Sequence, residues 1–133
     1  MPHPFRYAQA QHKRRSRDWT GWCLVFVRSA FGVPAQQPDA ASAWANAERK
    51  HPVTSGSQVP RGVPVFWTGG SHGHGHIALS RGDGSVWTTD FVREGQVDVA
   101  RIDDITRGWG LTLAGWTEDL NGVTVWKIGR AHV

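Results

Sequence analysis

The sequence predicts an α+β domain in which helices come first and a mostly antiparallel sheet follows. Two features carry that prediction. Up to about residue 50 the apolar residues fall into long runs of helical character, interrupted by Gly32, Pro34 and Pro52. After Ser55-Gly56-Ser57 the runs become short, β-branched and aromatic, and are cut by Gly and Asp. The 133 residues carry no internal repeat and no low-complexity linker, so residues 1–133 read as one domain.

Residues 1–18 read as a basic, irregular lead-in arm. A first helix is expected over Thr20–Phe31, with Asp18 or Thr20 as its N-cap and Gly32 and Pro34 ending it. Trp22, Leu24, Val25, Phe26, Val27, Ala30 and Phe31 cover most of its circumference, which predicts a buried helix. A second is expected over Pro38–Lys50, Ala-rich and blocked by Pro52. Strands are expected at Val63–Thr68, His76–Ser80, Ser85–Asp90, Gln96–Ile102, Thr112–Trp116 and Val123–Ile128. A helical turn is expected at Ile102–Arg107.

Hydrophobic residues make up 39% and charged residues 20%, a globular composition that excludes a disordered chain. The formal charge is +4, much of it in His12-Lys13-Arg14-Arg15-Ser16-Arg17, which suits an anionic partner or a solvated basic arm. No zinc-finger spacing, RNP-type aromatic motif or basic helix leading into heptads is present, so nucleic acid is not the expected partner. No stretch has the length of a membrane span or the apolar core of a signal peptide. The expectation is a monomer without membrane insertion, made in the cytoplasm.

A single cysteine rules out an internal disulfide. Cys23 lies in the first turn or so of the expected helix, where unpaired N–H groups and the helix dipole favour an anion. A thiol there is a candidate nucleophile; a small core residue on an apolar helix is the alternative. Downstream, Gly75-His76-Ile77-Ala78-Leu79-Ser80 and Ser85-Val86-Trp87-Thr88-Thr89-Asp90 read as a hairpin around Gly82-Asp83-Gly84. A three-residue loop pairs Arg81 with Ser85 and sets His76 opposite Asp90, near enough for the carboxylate to hold the imidazole. A two-residue loop would turn Asp90 to the other face. Thr88, which shares a face with Asp90, is the fallback partner.

Trp22-Cys23-Leu24-Val25-Phe26-Val27-Arg28, Val63-Pro64-Val65-Phe66-Trp67 and Gly75-His76-Ile77-Ala78-Leu79 together resemble the NlpC/P60 and CHAP group of papain-like cysteine hydrolases. The likeness is to the catalytic domains of phage endolysins and actinobacterial cell-wall enzymes, and spans about Trp19 to Asp90. It implies a papain-like core, Cys23 as nucleophile, His76 as base and Asp90 as the residue that orients the base. It also implies an endopeptidase or amidase acting on peptidoglycan peptides through a thioester, with no cofactor and no metal. Such an enzyme would meet the wall after phage lysis or leaderless export. Trp22, Trp67, His74 and Thr88 are the expected substrate-side residues. Trp22 stands where many relatives have Asp or Gln, and the oxyanion donor is open among Tyr7, Gln11 and Trp19.

Two rival readings differ in chemistry. His72, His74 and His76 alternate, so an extended chain would aim three imidazoles one way, as in a zinc-dependent amidase. A wall-binding module of the same fold would need no reactive thiol. The remaining features read as structural. Asp103-Asp104 suit capping or a solvated turn, Trp87, Trp109 and Trp116 suit core or groove, and Asn121-Gly122 suits a turn with positive φ.

Overall fold

The computed structural model describes residues 3–15 and 17–126, and within them the fold is α+β. Helices α1 (Pro4–Arg14), α2 (Cys23–Phe31) and α3 (Ala40–Asn46) come first, followed by β1 (Lys50–Pro52), β2 (Pro64–Thr68), β3 (His76–Ser80), β4 (Ser85–Thr89) and β5 (Val97–Arg101). Helix α4 (Ile102–Trp109), β6 (Thr112–Thr117), β7 (Asp119–Leu120) and β8 (Val123–Thr124) complete the order. Six strands form one sheet in the order β1-β6-β2-β3-β4-β5, and every recorded pairing in it is antiparallel.

The sheet is buried on both faces, so its central strands are apolar throughout rather than alternating. Phe66, Ile77, Leu79, Trp87 and Val97 point to one face and meet Ala8, Trp19, Leu24, Phe26, Val27, Ala30, Ala40 and Ala43 from α1–α3 and the loop before α2. Val65, Trp67, Ala78, Val86 and Ala100 point to the other, against Ile102 and Ile105 of α4 and the loop residues Val59 and Val63. The two sets alternate along each strand, as the period of two demands.

The lead-in arm is the first correction: most of it is helix α1. Pro4 occupies the first helical position, the His3 ring accepts from the Arg6 N–H, and Arg15 ends the helix in the left-handed region at φ 51°. Ala8 is fully buried and the His12 Nδ1 lies 2.7 Å from the Val97 carbonyl on β5. The docking side combines Ala8 and His12 with the partly buried rings of Phe5 and Tyr7, so no run of large aliphatics announced it.

The helix boundaries also differ, each for a local reason. Asp18 accepts from the N–H and hydroxyl of Thr20 (2.9 and 2.6 Å) in a turn, so neither caps α2, which starts three residues after Thr20. Helix α3 is shorter than expected, beginning after the Asp39 cap and ending at Asn46. The Asp119 carboxylate takes the N–H groups of Glu48 and Arg49 (2.9 and 3.0 Å), drawing the chain out of the helix and into β1. Pro52 then sits on an edge strand, where its missing donor is tolerated. The last strand is only Val123–Thr124, because the N–H groups of Val125 and Trp126 both turn to the Glu118 carbonyl; Lys127 and Ile128 of the expected strand lie outside the described residues.

The hairpin has the expected register. Leu79 pairs with Trp87, Ser80 with Val86, and the Arg81 N–H donates to the Ser85 carbonyl at 2.9 Å across a Gly82-Asp83-Gly84 loop.

If α1 is part of the fold, Ala8→Glu places a charge in the core and should cost about 3 kcal/mol. The urea midpoint should fall clearly. An unchanged midpoint would mean that α1 contributes no packing.

Candidate functional site

Recorded β3–β4 pairing stops at Leu79 and Trp87. Arg81 and Ser85 form a hydrogen-bonded pair, so the same ladder continued would have Ile77 give its N–H to Thr89. That pairing is not recorded, and the Ile77 N–H lies near enough to the Cys23 sulfur to favour its ionised form. The two strands part here. Asp90, at φ 72°, turns the chain away from β3 immediately after β4 ends.

A cleft of about 940 Å³ opens at this end of the sheet, lined by Cys23, His76, Asp90, Trp22 and Trp109 among others. Cys23 reaches it from the start of α2. The first helical hydrogen bond there is Phe26 N–H to the Trp22 carbonyl, which leaves the N–H groups of Cys23 and Leu24 free of helical partners and near the sulfur. His76 arrives from the start of β3 and belongs to the α4 face, packed between Trp67 (centroids 5.5 Å) and Trp109 (4.9 Å, edge to face). Thiol and imidazole therefore come from opposite layers. They line one cleft because the strands between them have separated.

Gly75 sets the position of His76. A Cβ there would lie 2.4 Å from the Trp67 carbonyl oxygen, and its φ is +68°. The preceding loop is tied down by the Gly75 N–H to the Gly69 carbonyl (3.2 Å) and the Ala41 N–H to the His74 carbonyl (2.8 Å).

The imidazole is held by Thr88, whose Oγ1 lies 2.7 Å from His76 Nε2. The Thr88 hydroxyl also lies 3.3 Å from the Thr89 carbonyl. When its proton goes there the oxygen accepts from Nε2–H, and Nδ1 is left with the lone pair. Burial disfavours charge at both groups. Desolvation pushes the Cys23 thiol up to about 11, with the Asp90 carboxylate adding to the rise against the backbone N–H groups of Ile77 and Leu24. Desolvation alone lowers His76 to about 3. At neutral pH the resting pair is thiol and neutral imidazole.

Several expected roles are corrected. Asp90 does not hold His76. Its two oxygens accept from the N–H groups of Gly21 (3.1 Å) and Gly95 (2.7 Å), and Thr88 takes the imidazole instead. Thr88 is fully buried, a support for the histidine and not a substrate contact. Trp67 is also fully buried, its indole donating to Thr106 Oγ1 at 2.9 Å, and so lines no groove. Trp22 (48% exposed) and His74 do line the cleft. None of Tyr7, Gln11 and Trp19 lines it, whereas the free first-turn N–H groups of Cys23 and Leu24 lie beside the sulfur. The three alternating histidines do not converge: His72 and His74 are exposed while His76 is buried, and among the described residues no cluster of three His, Cys, Asp or Glu side chains is placed to hold a metal ion.

Sequence reasoning missed Arg28, Gln37, Asp39 and Glu94, all of which line the cleft. Asp39 carried a signal, since an Asp three residues before Ser42 is an N-cap pattern. The others bear no local mark. Comparisons with known proteins return no match: no family model, no curated protein and no solved structure.

A thiol held near 11 is about one part in ten thousand thiolate at pH 7. Alkylation of Cys23 by iodoacetamide should rise steadily with pH through 9. A rate that levels off below pH 7 would show a preformed thiolate–imidazolium pair and contradict this geometry.

Proposed function

We propose that the chain is a cysteine hydrolase of the papain-like NlpC/P60–CHAP type that cleaves an amide bond of peptidoglycan peptides. The observation that carries the reading is that Cys23 and His76 line one cleft, with Thr88 Oγ1 2.7 Å from the imidazole Nε2, which leaves Nδ1 to take the thiol proton.

The chemistry follows from the neutral resting pair. As the sulfur attacks the amide carbon, the thiol proton passes to Nδ1 of His76 and the Sγ–C bond forms. Forming both charges together keeps the net charge at zero, so their attraction offsets part of the desolvation each would suffer alone. The first-turn N–H groups at Cys23 and Leu24 face the developing oxyanion. The imidazolium protonates the departing nitrogen as the C–N bond breaks, leaving a thioester. Water, giving its proton to His76, then releases the acyl group and restores the thiol.

The cleft accommodates a peptide rather than a small molecule alone, since Trp22 and Trp109 flank it and Arg28, Asp39 and Glu94 supply charges of both signs. The net charge of +4 suits an anionic wall. A second reading, a wall-binding module, draws on one observation: burial leaves both thiol and imidazole uncharged at rest.

Digestion of purified wall, with products identified by mass spectrometry, separates the two. The parent should release peptides and Cys23→Ala should release none; equal binding with no release by either supports the alternative, and equal release by both would contradict the role of Cys23. Thr88→Val leaves Nε2–H without its acceptor and should lower kcat about tenfold or more, whereas Thr88→Ser should stay near the parent. Equal rates for the two variants would remove Thr88 from the mechanism.

A further inference from the structure

We infer that Asp90 is a positioning residue for the nucleophile, its carboxylate fastening the Gly21–Cys23 turn to the β4–β5 connection. The inference rests on the hydrolase reading for its effect on turnover, and on the Gly21 and Gly95 hydrogen bonds for its effect on where the thiol sits.

Three observations converge on this residue. Asp90 is one of three non-glycine residues among those described with positive φ (72°), a conformation that costs free energy unless the surroundings hold it. Its side chain is divided between two backbone donors far apart in sequence, Gly21 (Oδ2, 3.1 Å) and Gly95 (Oδ1, 2.7 Å). Gly21, with φ 72°, is solvent-exposed and stands two residues before Cys23 in a turn closed by the Trp22 N–H to the Trp19 carbonyl at 2.8 Å, which Asp90 ties to the β4–β5 connection.

The Gly95 end is fixed as well. The Gly95 carbonyl accepts from the Trp19 N–H at 2.9 Å, and Trp19 is buried in the core. Asp90 and Gly95 thus grip the segment 19–21 at two points, and the segment leads directly into the thiol. The strand that turns away at Asp90 to open the cleft is the same one that holds the nucleophile's loop against it. Losing this anchor frees Gly21–Cys23 to drift, and a displacement of about 1 Å is enough to cost a well-placed reaction a large part of its rate.

Asp90 also bears on the sulfur electrostatically. The other charged or titratable side chains lining the cleft are Arg28, Asp39, His74, His76 and Glu94, while the charge that raises the thiol pKa is that of Asp90. Removing it therefore acts in two opposed directions. The thiol becomes easier to ionise, and the ionised sulfur becomes worse placed. A residue that merely stabilised the fold would not separate these effects.

The test compares parent, Asp90→Asn and Glu94→Gln. Asn tolerates the left-handed backbone, and Glu94→Gln removes a cleft charge without touching the Gly21 bond. Asp90→Asn should alkylate with iodoacetamide about threefold or more faster at pH 8 and hydrolyse purified wall about tenfold or more slower; Glu94→Gln should match the parent in alkylation. Amide hydrogen exchange of the unmodified protein supplies a readout that needs no variant: the exposed Gly21 N–H should exchange about fivefold or more slower than an unstructured glycine. Overlapping alkylation profiles for Asp90→Asn and parent, an equal shift in Glu94→Gln, or an unprotected Gly21 amide would each overturn the inference. Absence of Cys23-dependent hydrolysis in the parent would overturn the proposed function instead, and the alkylation and exchange results would still decide the role of Asp90.

Discussion

The separation of β3 from β4 beyond Leu79 is the constraint on which the cleft depends. A two-faced sheet normally isolates what lies on one side from what lies on the other. Here the recorded ladder ends early, and the Ile77 N–H comes near the thiol of the helical layer. His76 and Thr88 remain on the α4 side, bonded to each other at 2.7 Å. The gap lets a sulfur and an imidazole from different layers share one space. Asp90 is the hinge of the arrangement, since its left-handed backbone follows the end of β4 and its carboxylate reaches back to the loop before Cys23.

The enclosure of His76 explains the electrostatics. Trp67 beneath and Trp109 beside it exclude water, so the ring is kept neutral and its orientation is set by one hydrogen bond. Trp109 is in turn braced by Phe91, edge to face at 5.2 Å, and Gly108 allows that approach because any Cβ there would lie 2.8 Å from the Phe91 ring. The aromatic wall is thus continuous from the core to the rim, where Trp109 is 40% exposed.

Much of this was legible in the sequence, and the limits have physical causes. The hairpin count worked because glycines at 82 and 84 force the turn, and a period of two propagates the register outward without ambiguity. His76 and Cys23 stood out because histidine and cysteine are rare enough to be weighed one by one. Asp90 was expected in the strand opposite His76 and lies beyond the end of β4 with other partners, since register assigns a face only while the strand remains extended. The left-handed turn at Asp90 breaks that assumption, and Asp, which tolerates such backbone, carries no sequence mark of when it does so. Helix α1 escaped notice because Ala8 and His12, with the partly buried rings of Phe5 and Tyr7, make its inner side. The early end of α3 depends on a carboxylate more than seventy positions later, at Asp119, and no local window contains it.

In the proposed hydrolysis the acyl group passes through the sulfur at the start of α2 with help from the imidazole at the start of β3. Acid-quenched reactions of the parent and His76→Ala with purified wall peptides, digested and analysed by mass spectrometry, read that step directly. The account predicts an acyl adduct on Cys23 in the parent, labile to hydroxylamine, and little or none in His76→Ala. Continued peptide release with Cys23 unmodified, or equal adduct in both proteins, would contradict it.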